Sequence, residues 1–154
     1  MKKADMLDWL KEGNVTIPAV LLTQYKEMRL NEQELALLLH VFYFSEKGNE
    51  FPTPTELAAR MTISAFECTD LLRALIQRGF ISIRDGNSTD GIRYEKYSLE
   101  PLWEKLFDQF MLKRKQEKEI LDQKEETDLY TTFEREFGRP LSPFECESLA
   151  MWMD

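Results

Sequence analysis

A chain of 154 residues and 18.2 kDa has room for one domain, or one domain and the start of another. At this size folding buries roughly 70% of the unfolded surface, so a core needs neither disulfide nor metal. A net charge of −8, 43% hydrophobic and 31% charged residues fit a globular chain and exclude a polycation, so any grip on nucleic acid must be local.

The longest apolar run, Leu35–Leu39, is broken by His40, too short to span a bilayer. Asp5 and Asp8 interrupt the N-terminus before a secretory signal can form. Two cysteines, Cys68 and Cys146, point to a reducing cytoplasm rather than a disulfide framework.

The spacing of apolar residues predicts a mainly helical chain with one β-ribbon. Met6, Leu7, Trp9 and Leu10 set one side of a short helix over 4–12, ended by Gly13. Val15-Thr16-Ile17 reads as a short extended piece before Pro18. A helix follows from about Pro18 to Arg29, with proline in its first turn. Asn31 with Glu34 makes a capping box for a helix carrying Leu35, Leu38, Leu39, Phe42 and Tyr43, stopped at Gly48. Thr53, Pro54 and Glu56 open another that ends near Met61. Ser64 with Glu67 opens a third, with Cys68, Leu71, Leu72, Leu75 and Ile76 on one face and Gly79 at its end.

The period then changes from 3.6 to 2. Phe80–Arg84 reads as a strand, residues 85–91 as a polar tip and Ile92–Leu99 as the returning strand. Pro101 starts a helix with Leu102, Trp103, Leu106, Phe107, Phe110 and Met111. From Lys113 to Asp128, 11 of 16 residues are charged, which reads as a helix extension or linker at a domain boundary. Leu129, Tyr130, Phe133 and Phe137 begin a new apolar face. Ser142 with Glu145 is another capping box, opening Leu149, Met151 and Trp152. The pattern is still running at Asp154, so the sequence reads as a fragment with a second domain cut after about two helices.

Helix, helix 54–61, helix 65–78, strand, tip, strand is the order of a winged helix-turn-helix, here with extra flanking helices. In that architecture the third helix enters the DNA major groove. Its outward face in this chain carries Phe66 beside Glu67 and Asp70, and the two carboxylates repel phosphates. The charge favours an interaction scaffold over a duplex reader.

No catalytic, metal-binding or cofactor-holding pattern is present. His40 is the sole histidine and sits inside an apolar helix. Neither cysteine has a second ligand at zinc spacing. The glycines form no phosphate loop, and Asp85-x-Asn87-x-Thr89 departs from a calcium loop at Asp90 and Lys96.

Two kinds of contact surface stand out. Phe51, Ile83 and Glu95, in the loop and on the ribbon, are expected to face a protein partner. Trp9, Val15, Ile17, Trp103, Leu106, Phe107, Phe110 and Met111 flank the winged unit and are expected to form the seam of a homo-oligomer. The rival reading is a winged-helix transcriptional regulator. In it Arg60, Arg73, Arg78, Arg84, Arg93 and Lys96 hold DNA, with affinity falling steeply in salt.

Thr16-Ile-Pro18, Leu21-Leu-Thr-Gln-Tyr-Lys26, Asn31-Glu-x-Glu-Leu35, Phe51-Pro-Thr-Pro54, Gly79-Phe80 and Tyr97-Ser-Leu-x-Pro-Leu-Trp103 together resemble the N-terminal domain of the bacterial primosomal DnaD proteins. The tail Phe133-Glu-Arg-Glu-Phe-Gly-Arg-Pro-Leu-Ser-Pro-Phe-Glu145, with Leu149 and Trp152, is similar to the opening of the C-terminal domain shared by DnaD and DnaB proteins. The resemblance implies replication initiation and fork restart by a non-enzymatic scaffold linking the initiator DnaA to DnaB and helicase loading. It implies an oligomerising, partner-binding domain over 1–112, a charged extension or linker over 113–128 and the start of a C-terminal domain over 129–154. DNA binding is then weak here, since the family places most of it in the remainder of the C-terminal domain.

Overall fold

The computed structural model describes residues 2–137. The expected helix after Ser142, with Leu149, Met151 and Trp152, and Cys146 lie outside them. The chain divides into two units, residues 1–109 and 110–154.

The first unit contains α1 (Lys3–Lys11), α2 (Ala19–Gln24), α3 (Glu32–Glu46), α4 (Pro54–Ala58), α5 (Ala65–Gln77) and the antiparallel pair β1 (Ser82–Asn87) and β2 (Arg93–Ser98). It also contains the first turns of α6 (Glu100–Phe137). The architecture is mainly helical with a two-stranded sheet, as the periodicity predicts.

Local chemistry sets the helix starts. The Asn31 side chain accepts from the Glu34 N–H at 2.8 Å, and the Glu34 carboxylate accepts from the Asn31 N–H at 2.9 Å. Thr53 and Glu56 repeat this box at α4, with Pro54 in the first turn. Ser64 Oγ accepts from the Glu67 N–H and caps α5. Each satisfies backbone donors that have no partner inside the helix.

Several boundaries differ from expectation. The helix foreseen to Arg29 ends at Gln24, and the chain turns through Tyr25–Arg29, where Arg29 takes a positive φ of 61°. The Leu30 N–H donates to the Tyr25 carbonyl and closes that turn. Val15-Thr16-Ile17 joins no sheet. β1 starts two residues late and runs to Asn87, because Phe80 and Ile81 are both buried in the core rather than alternating. Through 113–128 the chain is helix. No glycine or proline interrupts residues 102–137, and the run is rich in Lys, Glu, Gln and Leu, which favour helix.

The core draws on α2 to α6 and on Phe80, Ile81 and Leu99, which flank the ribbon. Leu35, Leu37, Leu38, Val41 and Phe44 of α3 pack with Leu21, Leu57, Cys68, Leu72, Leu75, Ile81, Leu102 and Leu106. α1 contributes no buried residue. Arg78, at the end of α5, reaches back across the body. It donates to the Glu34 carboxylate at 2.6 Å and to the Arg29 carbonyl at 2.6 Å, tying α5 to the start of α3. This body fixes the ribbon: the Tyr97 N–H donates to the Glu50 carbonyl at 2.9 Å, so the loop before α4 runs along the outer edge of β2.

Candidate protein-interaction surface

The ribbon's register decides which side chains share a face. Ile83 pairs with Tyr97, Asp85 with Glu95 and Asn87 with Arg93. Successive strand residues alternate between faces, so these six lie on one face. Phe51 is added from the loop: its ring stacks on Tyr97 with centroids 4.4 Å apart and planes at 26°. The three residues expected to meet a partner therefore surround one residue, Tyr97. Phe51 is 38% exposed and Ile83 46%, and Glu95 is exposed.

The patch has two halves. Phe51, Tyr97 and Ile83 make an apolar half. Burial, then nearby Cys68 and Glu95, push the Tyr97 phenol up, so it stays neutral. The other half is acidic. Asp85 sits directly opposite Glu95, and like charges opposed on a ribbon repel. Arg93 takes Asp85 at 3.0 Å, and Glu95 has no ion pair among the described residues. The face thus presents apolar surface beside an uncompensated carboxylate.

Sequence reading missed Tyr97 and Asp85 as members of this site. Both sit on strand positions of the right parity. The registration of β1 on β2 that joins them to Ile83 and Glu95 was the absent information.

The proposed oligomer seam is redistributed. Trp9 is 68% exposed, and Val15, Phe107, Phe110 and Met111 are also exposed. Leu106 is not available to a second copy: it is 3% exposed and belongs to the core, one turn after Leu102 on the same side of α6. Ile17 and Trp103 are half-buried against that core, with Trp103 edge-on to Phe42 at 5.9 Å.

The candidate DNA contacts are largely engaged within the chain. Arg60 lies 3.9 Å over the Phe44 ring. Arg78 is held by Glu34 and two carbonyls. Arg84 meets Glu100 at 2.9 Å, Arg93 meets Asp85, and Arg73 lies 3.7 Å from Asp70. Lys96 is half-buried and lines a cavity of about 310 Å³ with Glu50, Trp103 and the end of α3. The outward face of α5 carries exposed Glu67 and Asp70 beside Phe66, which is 76% exposed.

His40 is half-buried, and burial, then the positive charge of Arg60, hold its imidazole below the ordinary range. Cys68 is fully buried, and burial pushes its thiol up. No cluster of metal-ligating side chains occurs among the described residues, and none of their helices is long and apolar enough to cross a membrane.

Two family models match the chain. Residues 17–119 match the family model described as the DnaD N-terminal domain, and residues 130–154 match one described as "Replication initiation and membrane attachment". The chain is 50% identical over its whole length to the replicative helicase loading/DNA remodeling protein DnaD of Bacillus subtilis (strain 168), and spans 66% of that protein. The crystal structure of the N-terminal domain of DnaD protein from Geobacillus kaustophilus HTA426 is similar, with a TM-score of 0.66 and 44% identity. That match covers 77% of this chain and 99% of the other. With two thirds of its residues matched by the family model and its full length aligned to a relative at 50% identity, the chain belongs to the DnaD family.

Proposed function

We propose that this chain is a non-catalytic scaffold of bacterial DNA replication initiation and fork restart, a primosome component that serves helicase loading. The name of the Bacillus subtilis relative, a replicative helicase loading and DNA remodeling protein, supports the replication role. Residues 1–112 act as a winged-helix interaction domain, 113–128 as a charged helical extension and 129–154 as the start of a DnaD/DnaB-type domain. The chain self-associates through exposed apolar residues outside the core, with Trp9, Val15, Phe107, Phe110 and Met111 as the contacts. It needs no cofactor and works in the cytoplasm.

One observation carries the partner reading: Phe51, Tyr97 and Ile83 form an apolar half-patch beside the unpaired Glu95. Apolar anchors beside a charge that lacks a mate are what a protein partner completes. The partners by resemblance are the initiator DnaA and the DnaB helicase-loading protein. The complementary surface has an apolar knob and a basic residue. Duplex reading is disfavoured because the outward face of α5 carries exposed Glu67 and Asp70, whose carboxylates repel phosphates.

Titrating the chain with purified DnaA, and separately with single- and double-stranded DNA at low and physiological salt, tests the reading. Binding of DnaA that Ile83→Ala weakens about tenfold at unchanged thermal stability is expected. Salt-sensitive, sequence-selective duplex binding lost on Arg73→Ala would instead establish the transcriptional-regulator reading.

A further inference from the structure

The hydrogen-bond parity of the ribbon leaves one edge open. In an antiparallel pair, opposed residues alternate between exchanging backbone bonds and pointing them away. The Tyr97 N–H donates outward, to the Glu50 carbonyl, so Tyr97 and Ile83 form a pair that does not exchange bonds. The tip agrees: the Ser88 N–H donates to the Ile92 carbonyl at 2.9 Å, which places 88, 86, 84 and 82 in the bonded set. Ile83, Asp85 and Asn87 consequently direct their N–H and C=O groups away from β2. All three are exposed, and none makes a backbone bond elsewhere among the described residues.

We propose that this edge of β1 is a strand-addition site for an extended segment of a protein partner. The occupant is a heterologous segment rather than a second copy. The one register that would pair all three open residues of two β1 strands sets Asp85 against Asp85, a like-charge opposition that destabilises a ribbon. The same charge selects for the partner. A residue opposite Asp85 in an added strand projects onto the face that carries Asp85 and the unpaired Glu95, so lysine or arginine fits there. The residue opposite Ile83 continues the apolar half, and a β-branched side chain fits there. Strand addition supplies affinity through main-chain bonds and selectivity through alternate side chains. The inference rests on the partner reading above and deepens it: recognition uses the edge of the ribbon as well as its face.

Amide hydrogen exchange by NMR on the whole chain, free and saturated with DnaA as the probe, tests it. In the free chain Ile83, Asp85 and Asn87 should exchange fast, and Arg84 and Gly86 slowly. Saturation should slow the three odd-numbered amides, a period-two footprint that contact on the face alone does not produce. Asp85→Pro removes one outward N–H and leaves the β1–β2 bonds intact, because proline is tolerated where the N–H faces solvent. It should weaken DnaA at least about tenfold, from one lost hydrogen bond with its acceptor left unpaired, at unchanged melting temperature. Asp85→Ala should weaken it far less. Unchanged exchange at the odd amides on saturation overturns the proposal whether or not the proline variant folds. Wild-type affinity of a folded Asp85→Pro does so too. Loss of binding on Ile83→Ala with no odd-amide footprint leaves the face reading standing and removes the edge. Failure of DnaA to bind the wild-type chain removes both.

Discussion

Glu34 and Asp85 are both carboxylates held by an arginine, at 2.6 Å from Arg78 and 3.0 Å from Arg93. Their settings are opposite. Glu34 is 6% exposed and completes the capping box of α3, and its arginine also donates to two carbonyls. Asp85 and Arg93 lie in solvent on the ribbon, with Glu95 left over. Every charge at the first junction is matched inside the chain, so that junction contributes stability. The ribbon keeps a surplus facing outward, so its charges contribute little to folding and are free to select a partner.

Substitutions at the two sites separate these roles. The largest stability effect is expected at Glu34→Ala, which leaves Arg78 without its carboxylate and removes a cap. A cost of about 3 kcal/mol is reduced from the fully buried case because Arg78 is partly exposed, and urea unfolding measures it. Asp85→Asn should change stability by under about 0.5 kcal/mol in the same assay. A cost comparable to that of Glu34→Ala would break the contrast.

Binding should order the variants the other way. Glu95→Lys reverses the unpaired charge and is expected to weaken DnaA by about tenfold or more, with a smaller penalty at high salt, while stability holds or rises slightly because Asp85 gains a second cation opposite it. Phe51→Ala removes the ring stacked on Tyr97 and should weaken DnaA severalfold at a modest stability cost. Glu34→Gln, provided it is folded at the assay temperature, should bind DnaA as the wild type does.

The smallest effect concerns pH. His40 is held neutral by burial and by Arg60, so the unfolded chain takes up its proton at higher pH than the folded one. The stability it contributes is fully present above the ordinary imidazole range. It is lost as pH falls from that range to the lowered folded value. His40→Gln should flatten this limb of the stability–pH curve and leave DnaA affinity at neutral pH unchanged.

Much of the framework was legible in the residues. Asn31, Thr53 and Ser64 marked three helix starts because a cap acts within four residues of itself. The stripe on α5 and the change of period at the ribbon are likewise local. The candidate site was legible in part: Phe51, Ile83 and Glu95 were visible as contact candidates on a loop and two strands, but their convergence on Tyr97 was not. Leu106 was misplaced because a helix with apolar residues on more than one side does not say which side meets the core.

What the sequence determined alone is the set of interactions between near neighbours: caps, helix and strand periods and the acidic face of α5. Tertiary structure decided the pairings across long separations. It set Arg78 on Glu34, forty-four positions away, and chose a register that opposes Asp85 to Glu95 and leaves the β1 edge open. The reason is physical. A capping box closes over three residues and needs only its own backbone, whereas a strand register or a long-range ion pair exists only once a packed core has fixed both partners in place.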